Sequence, residues 1–240
     1  MTTTHISSML RLFPRPNPYR LLPTTTKTKY TTTPPLKMRL PYAPTTPPEN
    51  SPPTTTDIYA RIAARRHPRP LIPLDLSLLH SPPVADGWNS FLGAIRTQTI
   101  IDQGLLELAV CRVAVLTNAI YEWNAHAPLA LKGGVKAEEL RAVRELPSLA
   151  GESEGGELEG SALTGLQRAV VRYADEMTRT VKVKEETFRA LQTAGLSDRE
   201  VVELTTGIAG YNCVSRVLVA LDVGENNDKE MKSVDELVQS

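Results

Sequence analysis

Beyond residue 56, apolar side chains recur along most of the chain at helical intervals. Residues 57–66 (Asp57-Ile58-Tyr59-Ala60-Arg61-Ile62-Ala63-Ala64-Arg65-Arg66) read as a short amphipathic helix with Asp57 as its N-cap. It stops before His67-Pro68, because the residue ahead of a proline is pushed out of the helical region. Residues 71–79 are apolar but interrupted by proline, which predicts an irregular packed stretch. Val84, Trp88, Phe91, Leu92 and Ile95 share one face of a helix over 84–97. A third helix is predicted over 103–116, apolar almost all round, with Glu107 and Arg112 as its odd members. Thr117-Asn118 breaks it. Asn118 then serves as the N-cap of a helix to about residue 131, which Gly133-Gly134 ends. Further helices are predicted over 137–146, 162–177 and 185–191. The capping box Ser197-Asp198-Arg199-Glu200 opens a long one to residue 221. No strand-like alternation appears, so the body is all-α.

Two segments fall outside this pattern. Residues 1–56 hold 12 of the 19 prolines, 15 threonines and no glycine, and they predict a disordered basic leader. Residues 224–240 are polar and charged and predict a loose or weakly helical tail. The domain proper is therefore expected over 57–223, with a solvated loop at 147–160 where four glutamates and four glycines fall together. The acid-free, Arg/Ser-containing start resembles a mitochondrial transit segment, a plain tail is the alternative, and Met38 offers a second start. Cytoplasmic and mitochondrial addresses both fit.

Charge sharpens the division. The formal net charge is zero, yet residues 1–48 carry seven Lys/Arg and no acid, which leaves the remainder at −7. An acidic body repels phosphate, so a nucleic-acid partner is not expected. Two cysteines allow at most one disulfide, and without a Cys-x-x-Cys pair neither dithiol redox chemistry nor a Cys-rich zinc site has its ligands. The absence of about 18 consecutive apolar residues predicts no membrane span.

Candidate chemistry sits between residues 107 and 126. Asn118, Glu122 and His126 are spaced i, i+4, i+8 and line one helix face, so Glu122 can bond His126 directly or share a ligand with it. A carboxylate beside an imidazole fixes its tautomer, as acid/base work requires. The same pair is equally at home on a solvated helix face. Glu107, amid Leu105, Leu106, Leu108 and Val110, has to be paired, hydrogen-bonded or functional, and Glu107 and Arg112 can equally be structural ion-pair members with charged residues of neighbouring helices. Glu-x-x-x-His supplies only two ligands, so no metal is expected.

These residues carry a family resemblance. Glu107-Leu108-Ala109-Val110, Tyr121-Glu122-Trp123, His126 and Gly133-Gly134-Val135 resemble the carboxymuconolactone decarboxylase family, whose fold is AhpD-like. The likeness extends over 57–223, through Gln167 to Tyr173 and Tyr211-Asn212, and Met38 to Tyr42 is similar to the start of fungal members. In the alkylhydroperoxidase branch, a glutamate precedes a Cys-x-x-Cys and a histidine. Glu107 and His126 match the glutamate and histidine, whereas Ala119 and Glu122 stand where the cysteines would be.

The resemblance therefore implies a cofactor-free decarboxylase or isomerase acting on a small carboxylated or lactone compound. His126 would relay a proton, tuned by Glu122, and Glu107 would orient it or act as a second acid/base. Arg112 would stabilise a carboxylate or oxyanion. Tyr121 and Trp123 would wall the pocket or equally belong to the core, and the helix start at Asn118 would offer amides to an anion. A homo-oligomer, trimer or hexamer, is implied as well. Peroxide defence and a non-catalytic ligand-binding role are the alternatives.

Overall fold

The computed structural model describes residues 38–149 and 156–239. The leader expected ahead of residue 38 and the middle of the Glu/Gly loop, 150–155, lie outside the described residues. Among the described residues the chain is helical throughout: α1 (Pro53–Arg66), α2 (Pro73–Leu78), α3 (Pro82–Thr97), α4 (Gln103–Thr117), α5 (Ile120–Lys132), α6 (Ala137–Glu145), α7 (Gly156–Glu159), α8 (Gly165–Arg179), α9 (Glu185–Thr193), α10 (Asp198–Leu221) and α11 (Val234–Val238).

α4 lies at the centre because its sequence leaves it no polar face. Every residue from Gly104 to Ala114 is buried, as expected of a helix that is apolar all round. It packs against α5, α8 and α10, and also touches α6. α5 folds back on α4 after Asn118, and the two approach closely where Gly104 meets Gly133. A Cβ on Gly133 would lie 2.8 Å from the Gly104 Cα, nearer than any side chain allows. Gly133 thus closes α5, as its position in the sequence predicts, and also lets the start of α4 lie against the end of α5. α10 is long and apolar enough by length and composition to cross a membrane. Here it is a core helix packed on α3, α4, α5, α8 and α9.

The structure departs from the predicted elements in five places. α1 begins at Pro53, with prolines at its first turn, so Asp57 lies inside the helix and is not its N-cap. The stretch read as irregular contains α2, because Pro73 occupies the first turn, where its missing N–H costs nothing. Asp75 bonds the Ile72 N–H at 3.1 Å and holds that turn's entry.

Asn118 is not the N-cap of α5. It sits in the left-handed region (φ 53°) as the C-cap of α4, a conformation that asparagine tolerates. Ala119 is the residue that precedes α5.

Part of the expected leader is packed on the body. Met38 and Ala43 are buried, Arg39 N–H donates to the Leu221 carbonyl at 3.1 Å, and Ala43 N–H donates to that of Leu76. The Tyr42 hydroxyl accepts from the Gly224 N–H at 2.9 Å. An extended strap needs no apolar period to bury single residues, so periodicity could not find it. The C-terminal tail is likewise packed. Val234 and Leu237, one turn apart on α11, are buried against α5 and α6.

Candidate active site

One cavity of about 360 Å³ opens between the end of α1, α3, α5 and α10, and it contains the residues with the most unusual chemistry. His126 and Glu122 of α5 line it, with Tyr121, Ala125 and Leu129 of the same helix. Trp88, Leu92 and Arg96 come from α3, and Tyr211, Val214 and Leu218 from α10. Arg65, Arg66 and Arg69 come from the end of α1 and the turn after it.

His126 does not bond its helix neighbour Glu122. Its Nδ1 lies 2.6 Å from Oε2 of Glu107, which reaches across from α4. Both side chains are more than nine-tenths buried. A carboxylate can only accept, so this bond assigns the hydrogen to Nδ1 and leaves Nε2 as the ring nitrogen available for exchange. The Tyr211 ring meets the imidazole edge-on, with centroids 4.7 Å apart, and fixes its plane. The carboxylate bonded to the ring is therefore Glu107, not Glu122. The close approach of Gly104 and Gly133 brings α4 against α5 and lets Glu107 reach the ring.

Glu122 has a different environment. It is 1% exposed, and neither carboxyl oxygen has a hydrogen-bond partner among the described residues. Burial, reinforced by the charge of Glu107, pushes its pKa well above the usual carboxylate value. On the cavity wall, burial thus favours its protonated form, which can donate a hydrogen bond. Burial also raises the hydroxyl of Tyr211 strongly, an effect that the glutamates reinforce and the Arg96 and Arg65 charges oppose.

A stability consequence follows from Glu122. Its folded value lies above 4.5, so its contribution is complete below about pH 4.5 and is lost as pH rises through the raised value. The thermal midpoint of the wild type should fall more steeply from pH 4.5 towards neutrality and above than that of Glu122→Gln. Parallel curves for the two proteins would contradict a neutral buried Glu122.

Three residues expected to bind substrate lie elsewhere. Arg112 is wholly buried and forms a two-point ion pair with Asp175, at 2.6 and 2.8 Å. Its remaining N–H groups donate to the carbonyls of Val143, Leu146 and Pro147. It ties α4 to α8 and to the end of α6, and it cannot turn to a substrate oxygen. Trp123 is wholly buried with its indole N–H bonded to the Lys232 carbonyl at 2.9 Å, so it anchors the C-terminal tail. Asn118 is exposed and caps α4. Tyr121, by contrast, is on the cavity wall as expected.

Sequence reasoning missed the cavity's arginines and did not assign Tyr211 a role. Arg65 and Arg66 read only as the polar end of a helix. Nothing in one chain's spacing joins residue 65 to residues 96, 126 and 211.

Neither cysteine lines the cavity. Cys111 is wholly buried in α4, where burial, then the charges of Glu107 and Glu122, push its thiol far above the usual value. Cys213 is exposed on α10. Among the described residues no group of three or more His, Cys, Asp or Glu side chains is arranged to hold a metal ion.

Comparison with known proteins agrees with this architecture. Two crystal structures share the fold. One is described as the alkylhydroperoxidase AhpD core, an uncharacterized peroxidase-related protein from Ralstonia eutropha JMP134. It has a TM-score of 0.61 and 18% identity, over 84% of this chain and 95% of that one. The other is an uncharacterized peroxidase-related protein from Silicibacter sp. TM1040, with a TM-score of 0.60 and 15% identity, over 83% and 94%. At these identities the likeness concerns the fold. No curated protein matches the sequence. Residues 82–154, which run from α3 through α6 and include Glu107, Glu122 and His126, match the carboxymuconolactone decarboxylase family. Residues 82–154 of this all-helical, AhpD-like fold thus carry the match to the carboxymuconolactone decarboxylase family.

Proposed function

We propose that the protein is a cofactor-free acid/base enzyme acting on a small carboxylated or lactone substrate, and that its reaction is the loss of carbon dioxide. The observation that supports this most is that His126, bonded to Glu107, and the buried, unpartnered Glu122 line one cavity. Cleavage of the bond to a carboxylate sends its electron pair into a conjugated lactone and forms a dienolate. Glu122 donates a hydrogen bond to the developing oxyanion. Protonated His126 gives its Nε2 proton to carbon, held in place by Glu107 through Nδ1. The ring is reloaded from solvent after product leaves.

The peroxidase-related descriptions of the fold relatives favour a second reading, thiol-based peroxide defence. That chemistry needs an attacking and a resolving thiol, and Ala119 and Glu122 stand at the positions the resemblance gives to them. The test is release of carbon dioxide from a panel of carboxylated lactones, run beside peroxide consumption with a dithiol reductant. Release from at least one lactone is the expected result. Peroxide consumption alone would move the assignment to the second reading.

A further inference from the structure

α10 presents two faces. Tyr211, Val214 and Leu218 line the cavity from the inner one. The outer one carries Asp198, Val202, Thr206, Ala209, Cys213 and Arg216, all exposed. From Val202 these residues recur in steps of four, three, four and three. That is the 3.5-residue period of a helix seam that packs along another helix. A lone exposed valine needs no explanation. A seam of this length does, on a helix apolar enough to cross a membrane of which only 44% of the most apolar stretch is buried. The Thr206 hydroxyl donates to the Val202 carbonyl at 2.9 Å and is satisfied within its own helix. Apolar grooves run beside the seam, lined by Tyr173, Phe188 and Val201 near its start and by Thr117 and Val219 near its end. Such grooves receive the side-chain ridges of a packed helix.

Charge says which helix fits. The seam begins on an acid, Asp198, and ends on a base, Arg216. Neither forms an ion pair among the described residues. Asp198 accepts from Gln192 at 3.5 Å, and Arg216 donates to the carbonyl and side chain of Asn212. In an antiparallel helix pair related by a two-fold axis, facing positions add up to a constant. For this seam one register serves every position: Asp198 faces Arg216, Val202 faces Cys213, and Thr206 faces Ala209. Opposite charges then meet at both ends, and two small side chains meet at the crossing, where the helices approach closest.

We propose that the outer face of α10 is an isologous interface with a second copy of this chain, the two α10 helices running antiparallel in that register. A two-fold interface uses the same patch twice, so a sequence that complements itself end to end is what it requires. The pairing is independent of the proposed reaction, and its test uses no turnover.

Light scattering on the full chain at tens of micromolar should give an even number of protomers. Asp198→Arg and Arg216→Asp should each weaken association at least about tenfold, because like charges then face each other at both ends. The double exchange should restore it. Thermal midpoints close to wild type would show that the single variants are folded. The register has its own test. Val202→Cys, oxidised with copper phenanthroline, should give a reducible dimer through the native Cys213. The wild type should not, because the two Cys213 residues stand about 16 Å apart along the pair, beyond the reach of a disulfide. Nor should Val202→Cys in a Cys213→Ser background. A mass of one or three chains would overturn the proposal, whether the seam is bare or covered by another segment. So would an even assembly that is insensitive to both charge changes, or a Val202→Cys protein that does not cross-link.

Discussion

Replacing His126 by glutamine is expected to lower kcat on a carboxylated lactone by about 10²–10⁴-fold, the usual contribution of a positioned proton donor. KM should change little, because His126 is asked to act on the transition state and not to anchor the substrate. The fold should survive, since glutamine retains a donor towards Glu107 and its side chain faces a cavity. Glu107→Gln should give a smaller loss, because it acts through the ring: the amide keeps an acceptor oxygen for Nδ1 but no longer stabilises the charged imidazole. Equal losses from both substitutions would instead make Glu107 a direct participant. Unchanged turnover in His126→Gln, in a variant with wild-type stability, would remove the acid/base account.

The largest effect on stability is expected from Arg112→Ala. The substitution leaves the Asp175 carboxylate buried without its cation, and strips donors from the carbonyls of Val143, Leu146 and Pro147. Breaking a buried ion pair from one side costs about 3–5 kcal/mol. For a domain of this size that corresponds to a fall in thermal midpoint on the order of 10 °C. The double variant Arg112→Met, Asp175→Leu should recover much of the loss, although it leaves those carbonyls and the Leu149 N–H, which donates to Asp175 at 2.6 Å, without their partners. A substrate-binding Arg112 would behave oppositely: the single variant would melt with the wild type and show a raised KM. Differential scanning fluorimetry beside steady-state kinetics separates the two outcomes.

Arg112 also shows where a sequence stops being informative. A charged residue in an apolar helix signals that it needs a partner, and both Glu107 and Arg112 carried that signal. The choice of partner depends on which helices pack against α4. For Glu107 the family likeness and the nineteen-residue spacing to His126 indicated a functional pair. For Arg112 the partner, Asp175, lies 63 residues away on α8, and no local pattern points to it.

Trp123 and Tyr121 make the same point within one helix. Two positions apart, they differ by about 200° around the axis, and only the packing of α11 decided that Trp123 faces the tail. Asn118 was legible as a break but ambiguous in kind, because asparagine serves both as an N-cap and as a left-handed C-cap. The long amphipathic helices and the capping box at Ser197 were read correctly because their signals are local and repeated. The arginine cluster was not legible. It is assembled from the ends of two helices that carry ordinary terminal charges, and its meaning lies in the cavity they share.

Acid/base decarboxylation and thiol-based peroxide defence differ most sharply in the role of sulfur. The decisive measurement is carbon dioxide release from a carboxylated lactone by three proteins in parallel: wild type, Cys111→Ala/Cys213→Ser, and His126→Gln. The account predicts that the cysteine-free protein turns over within a small factor of wild type while His126→Gln falls by at least about 100-fold. Activity that disappears with the cysteines and survives loss of His126 would contradict it.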